Sequence, residues 1–169
     1  IGYKSYYSTT GGWDNIAIGY EAMYNAGGSD QCIAIGNQAL YNNEYGGRII
    51  AIGIATMYDN TEGYDNLAMG YYCMADNEDG NYNLGLGNYT IRNNVSGSYN
   101  VAIGMSSLYF TDSASYNVAV GYRCFYSNVL GDSNVGLGYQ AGYYETGSNK
   151  LFIDNQKRTN EANARISAL

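Results

Sequence analysis

The side chains able to do chemistry are few in kind. The 169 residues include 21 Tyr and no His at all, with 23 Gly and no Pro. Without His, the commonest general base is missing, and with it the Ser-His-Asp and Cys-His mechanisms and the usual catalytic zinc site. Carboxylates cluster in polar turns, as at Asp59, Glu62 and Asp65 and again at Asp76, Glu78 and Asp79. They lack the G-G-x-G-x-D spacing of calcium-binding solenoids and form no singular acid/base pair, so they read as a solvated rim. Cys32, Cys73 and Cys124 make neither a CxxC pair nor a disulfide ladder and read as thiols filling small core sites. No metal site and no cofactor is expected. A net charge of −7 argues against nucleic acid or an anionic membrane as partner, and no apolar run suits membrane insertion.

The remaining chemistry is aromatic. Tyr7, Tyr24, Tyr41, Tyr58, Tyr109, Tyr126 and Tyr143 fall in one register, and Trp13 stands in the first turn. Aromatic faces bind sugar C–H faces and apolar surfaces, while the phenol supplies hydrogen bonds. Each Tyr taken singly reads first as cover on a flat parallel sheet, stabilised by cross-strand stacking. Taken as a column, they offer a surface for multivalent adhesion.

What must position them is a repeat. Glycines stand at 2, 19, 36, 53, 70, 87, 104, 121 and 138, every interval 17 residues. Nine glycines in register by chance has a probability on the order of 10⁻⁷. From the second unit on, the residue two before each glycine is Ala or Gly, and those one and three before are branched or long aliphatics. The residue four before is Asn, except at Cys32 and Ile49. A 17-residue unit is too short for two packed helices. Each unit offers a short β run such as Asn100-Val101-Ala102-Ile103-Gly104, a second run such as Ser107-Leu108-Tyr109, and a polar turn. This predicts an all-β fold, a parallel β-solenoid of about nine 17-residue coils, roughly 40 Å long. Stacked Asn would form a hydrogen-bonded ladder and stacked Tyr a ring column.

Side chains alternate along a strand. With Asn, Ala and Gly inward, the coil is thin, and Met23, Leu40, Met57, Met74, Ile91, Leu108 and Phe125 from the second run fill the space opposite Ala. The neighbours of that large column, small Ala/Ser/Thr/Cys on one side and Tyr on the other, would then point outward. The opposite face of the first strand becomes an exposed double row: Ile16, Ile18, Ile33, Ile35, Ile50, Ile52, Leu67, Met69, Leu84, Leu86, Val101, Ile103, Val118, Val120, Val135 and Leu137. Such a stripe exceeds the few hundred Å² that monomers expose. Two further copies around a threefold axis would cover it, making these residues a trimer interface. The competing arrangement is a monomeric solenoid with the branched residues inside.

At Asn15-Ile16-Ala17-Ile18-Gly19 and its copies, the sequence resembles the head repeats of trimeric autotransporter adhesins, whose hallmark is a recurring N-x-V/I-A-I-G stretch. The resemblance covers residues 1–155. It implies a left-handed β-roll with the branched residues at a trimer interface. The unit here is longer than that family's, and this longer unit also resembles head-like repeats of phage tail fibres and modular bacterial surface proteins, as does the closing stretch Gly138-Tyr139-Gln140-Ala141-Gly142 with Gly147-Ser148-Asn149-Lys150-Leu151-Phe152-Ile153-Asp154-Asn155. The tenth position in phase with the glycines is Asn155. Residues 1–155 are read as the repeat domain and 156–169 as a cap or connector. The expected function is a non-enzymatic shaft or adhesive head of a phage tail fibre or bacterial adhesin. It would sit outside the cell or on the virion surface, attaching to a surface glycan or other host receptor. The alternatives are a filament subunit with no receptor and a carbohydrate-processing tailspike.

Overall fold

A computed structural model describes residues 1–155, so the expected connector at 156–169 lies outside the described residues. The strands are β1 (Ile16–Ile18), β2 (Asn25–Ala26), β3 (Ile33–Ile35), β4 (Asn42–Asn43), β5 (Ile50–Ile52), β6 (Leu67–Met69), β7 (Leu84–Leu86), β8 (Val101–Ile103), β9 (Val118–Val120), β10 (Val135–Leu137) and β11 (Leu151–Ile153). Nine of them form one parallel sheet in the order β1-β3-β5-β6-β7-β8-β9-β10-β11, while β2 and β4 pair separately. From β1 to β10 the register is a constant 17, as in Ile16↔Ile33 and Val101↔Val118. The chain is therefore an all-β parallel solenoid of about eight turns, with no helix among the described residues. That is one fewer than the sequence count of nine. The first unit contributes no strand, and its backbone stacks beneath the next through Gly19 N–H to Ile1 O at 2.8 Å.

The strand side of each coil follows the expected alternation. Ala34, Ala51, Ala68, Ala102 and Ala119 are fully buried, and opposite them Met23, Leu40, Met57, Met74, Ile91, Leu108 and Phe125 are fully buried too. The aliphatic residues flanking each Ala face outward, so the branched-inside arrangement is not the one adopted. Large against small fills a core only two layers thick.

The second run departs from expectation in two respects. It is not a strand: Glu21 and Met23 have φ near +51° and +52°, and Gln38 with Leu40, Ala55 with Met57 and Tyr72 with Met74 repeat the pattern. Nor does the small column point outward. Ala22, Ala39, Thr56, Cys73, Thr90, Ser107, Cys124 and Ala141 are buried beside the large column. The two corrections share one cause. Alternation of faces requires extended backbone, and the left-handed residues break it, so that each large side chain and the small one before it face the same side. Coils still stack here by backbone hydrogen bonds, as from Met23 N–H to Ala39 O at 3.0 Å and Asn25 N–H to Tyr41 O at 2.8 Å.

Glycine is required at the corner by contact as well as by conformation. At Gly70, φ is +142° and an added Cβ would lie 2.4 Å from the carbonyl oxygen of Gly87 in the next coil. The two glycines in the Ala column have a different origin. A Cβ at Gly85 would lie 2.8 Å from Cys73 Sγ, and one at Gly136 would lie 2.5 Å from Cys124 Sγ. Where the small column carries sulfur, the residue facing it gives up its methyl.

Two buried Asn ladders run along the stack, one just before the strands and one in the polar turns. In the expected one, Oδ1 of Asn66, Asn83, Asn100 and Asn117 each accepts the backbone N–H one coil on, at 2.8 to 3.0 Å. The second was not anticipated. Asn60, Asn77 and Asn94 each donate Nδ2 to Oδ1 of the Asn one coil below, at 2.7 to 2.8 Å. The same amides also donate to the carbonyls of Gly63, Gly80 and Gly97, three residues on. Glycine is needed at these turn positions because a Cβ at Gly63 would sit 2.5 Å from Asn60 Oδ1. In one coil Thr111 stands in the ladder and Ala114 replaces the turn glycine. Thr111 turns its hydroxyl to Leu108 O, and the buried Oδ1 of Asn94 is left with no donor.

The last coil is one residue short. Val135 pairs with Leu151, an offset of 16, so Asp154 rather than Asn155 takes the position facing Gly138. Here the packing is exchanged: Phe152 fills the place of Ala, and Gly142 the place of the large side chain. Phe152 meets Phe125 edge-on at 5.6 Å, and a Cβ at Gly142 would collide with the Phe125 ring. One large ring from the strand replaces one from the turn and closes the core.

Candidate functional site: an uncovered aliphatic face and the tyrosine columns

The sheet presents its outer face without cover from the chain itself. Along it run Ile16, Ile18, Ile35, Met69, Ile103, Val135 and Leu137, all exposed, from 36% at Ile35 to 49% at Ile16. Ile33, Ile50, Ile52, Leu67, Leu84, Leu86, Val101, Val118 and Val120 are half-buried between them. β11 extends the row with the exposed Leu151 and Ile153. All sixteen expected residues lie on this one face, because each occupies an outward position of a strand in constant register. In-register parallel pairing places like side chains above one another, so the row is continuous over nine strands.

The expected Tyr column forms as two stacks. Tyr7, Tyr24, Tyr41 and Tyr58 stack at 5.3, 5.1 and 4.8 Å. Tyr109, Tyr126 and Tyr143 stack at 5.1 and 4.9 Å. Between them the register carries Ala75 and Arg92, and Tyr72 and Tyr89 from a neighbouring column fill the gap, with Arg92 over Tyr72 at 5.5 Å. Tyr7 is exposed and the other six are half-buried, so most of each column serves as sheet cover. Two further Tyr sets were missed. Tyr82, Tyr99 and Tyr116 stack at 4.8 and 5.1 Å, and Tyr3 with Tyr20 and Tyr122 with Tyr139 each stack at 5.4 Å. Their 17-residue spacing was the available signal.

The acidic rim is partly paired. Arg48 grips Asp65 with two hydrogen bonds of 2.6 Å, which hold the Asp65 carboxyl below its ordinary range. Burial raises the carboxyl of Asp76 despite Arg92 at 3.2 Å. Among the described residues no group of three or more acidic or thiol side chains is arranged to hold a metal ion. Burial pushes the thiol of Cys32 up to about 11 and those of Cys73 and Cys124 to about 12. Such thiols stay protonated and unreactive at neutral pH.

Trp13, 78% exposed, lines a groove with Tyr45 and Tyr64. Its backbone N–H donates to Asp30 Oδ1 at 2.8 Å and its carbonyl accepts from Gln31 N–H at 2.8 Å. No protein-family model matches this chain, and neither do the curated proteins or the solved structures with which it was compared. Among the described residues no helix is long and apolar enough to cross a membrane.

Proposed function

We propose that this chain is a non-enzymatic segment of a trimeric fibre, the shaft or adhesive head of a phage tail fibre or bacterial surface adhesin. The observation that carries the proposal is the continuous aliphatic face. Nine strands of outward Ile, Val, Leu and Met cannot stay in water on a soluble particle, and identical rows on three copies can cover one another around a common axis. The resemblance of the Asn-x-Ala-Ile-Gly units to adhesin head repeats points the same way and supplies the left-handed coil. A rod assembled in this way holds every surface feature three times over and at each coil, which favours weak contacts used in number, against a surface glycan or another host receptor. The setting is extracellular or virion-surface, and an acidic chain suits neither nucleic acid nor an anionic membrane.

Light scattering tests the assembly. The expected mass is three times the 18.4 kDa of one chain. Ile52→Glu with Ile103→Glu places carboxylates on the outward face only, so the variant is expected to keep its β circular dichroism and run as a single chain. A wild-type mass of 18.4 kDa overturns the trimer. Growth of long filaments under the electron microscope would instead favour a filament subunit.

A further inference from the structure

We propose that the groove beside Trp13 is a binding site for a neutral pyranose residue of a glycan. This deepens the attachment role proposed above and rests on it for its biological sense, while the site itself rests on the groove.

The repeat departs from its column pattern in this place while keeping its register. Double glycines occur in three successive turns, 11–12, 27–28 and 46–47, and in no later one. The Asn ladder is broken in the same coils, by Cys32 and Ile49. Two of these glycines, Gly28 and Gly47, line a concavity of about 220 Å³ together with Trp13, Asp30, Tyr45, Arg48 and Tyr64. Trp13, Asp30, Gly47 and Tyr64 occupy one column in four successive coils, which sets the backbones at Trp13 and Tyr64 three strand steps, about 14 Å, apart. A Cβ at Gly47 would press on Tyr64 Cε1 at 3.1 Å, so the missing side chain lets the Tyr64 ring lie down over Gly47 as one wall of the groove. At Gly28 an added Cβ would meet only the Tyr45 ring, at 3.9 Å. Tyr45, 57% exposed, forms a third aromatic surface.

The polar groups suit hydroxyls. Arg48 lies over the Tyr64 ring at 5.5 Å, and its bidentate grip on Asp65 fixes the guanidinium while leaving its other N–H donors for a ligand. Asp30 is anchored through one oxygen to Trp13 N–H, which leaves acceptor capacity on its carboxylate. Aromatic faces take the C–H face of a sugar, and planar donors and acceptors at the rim take its hydroxyls. Charge selects the class. With Arg48 and Asp65 neutralising one another, Asp14 and Asp30 leave the groove negative, which disfavours anionic sugars.

Trp13 is the single tryptophan, so its fluorescence reports the groove directly. The full chain is titrated with the methyl glycosides of glucose, galactose, mannose and N-acetylglucosamine, and with the methyl glycoside of sialic acid as the anionic probe. At least one neutral glycoside is expected to saturate the Trp13 signal in the millimolar range, about 1–10 mM, with the sialoside at least about tenfold weaker. Tyr45→Ala is expected to weaken binding about fivefold or more, and Tyr139→Ala, on a distant coil, to leave it unchanged. The proposal is overturned if no neutral glycoside saturates the signal by about 100 mM, if the sialoside binds equally well, or if Tyr45→Ala binds as the wild type does. The mass by light scattering separates the two readings. A trimer without a Trp13 response keeps the fibre and loses the groove, and a responsive single chain does the reverse.

Discussion

The two sides of one coil obey different rules. On the strand side, Asn100 and Ala102 turn inward while Val101 and Ile103 turn outward, as alternation demands. On the turn side, Ser107 and Leu108 are adjacent in sequence and both fully buried, with Tyr109 half-buried beside them. Leu108, at φ +49°, makes the difference. A period of two therefore gives orientation only where the backbone is extended. A repeat period carries no such restriction, because it depends on stacking and not on which conformation is being stacked.

The widest separation between the two sides is expected at the corner that joins them. Gly70→Ala should cost about 4 kcal/mol or more, because a strained φ is compounded by a clash with backbone that has nowhere to go. Loss of soluble protein, or a large drop in the guanidinium midpoint, would register it. Next comes the contrast inside the turn. Leu108→Ala should cost about 3 kcal/mol as a cavity in a core only two layers thick, whereas Tyr109→Ala should cost about 1 kcal/mol. Equal costs would mean that the turn side alternates after all.

The broken ladder offers a gain. Thr111→Asn with Ala114→Gly gives Asn94 Oδ1 its donor and should raise stability by about 1 kcal/mol. Thr111→Asn alone should lower it, since the Ala114 methyl occupies the space that the amide needs. Thermal melts of the single and double variants decide this.

The smallest effect is electrostatic. Burial raises the Asp76 carboxyl, so its contribution to stability is greatest below the unfolded carboxylate range and is lost as pH rises through the folded value. Asp76→Asn should therefore melt like the wild type near pH 3 and higher than it at pH 7. The half-exposed Arg92 contact keeps the difference under about 1 kcal/mol. A wild-type advantage at pH 7 would assign the larger effect to Arg92.

The period, the inward Ala and the outward aliphatics were legible because each is a column of similar residues. The inward turn of Thr56, Cys73 and Ser107 was not, since left-handed φ at Ala55, Met57 or Leu108 leaves no mark in residue type. The second Asn ladder could have been read. Wherever Asn occupies its column, at 43, 60, 77, 94 and 128, Gly stands three residues later, and where Ala26 or Thr111 occupies it, a residue with a Cβ does. The matched changes at Cys73 with Gly85 and Cys124 with Gly136 were visible in the same way. The groove beside Trp13 was only half legible: Trp13 stood out, but the partners brought to it from three other coils needed the stack.

The exchange of Phe152 for Ala and of Gly142 for a bulky side chain gives the winding direction a terminus of its own. From β1 to β10 every step keeps the same 17-residue register, so reach becomes a quantity counted in whole windings, as on a graduated scale. A gene that duplicates one unit ahead of Gly138 would move whatever lies beyond Phe152 outward by one strand spacing, about 4.8 Å, without requiring any new kind of contact.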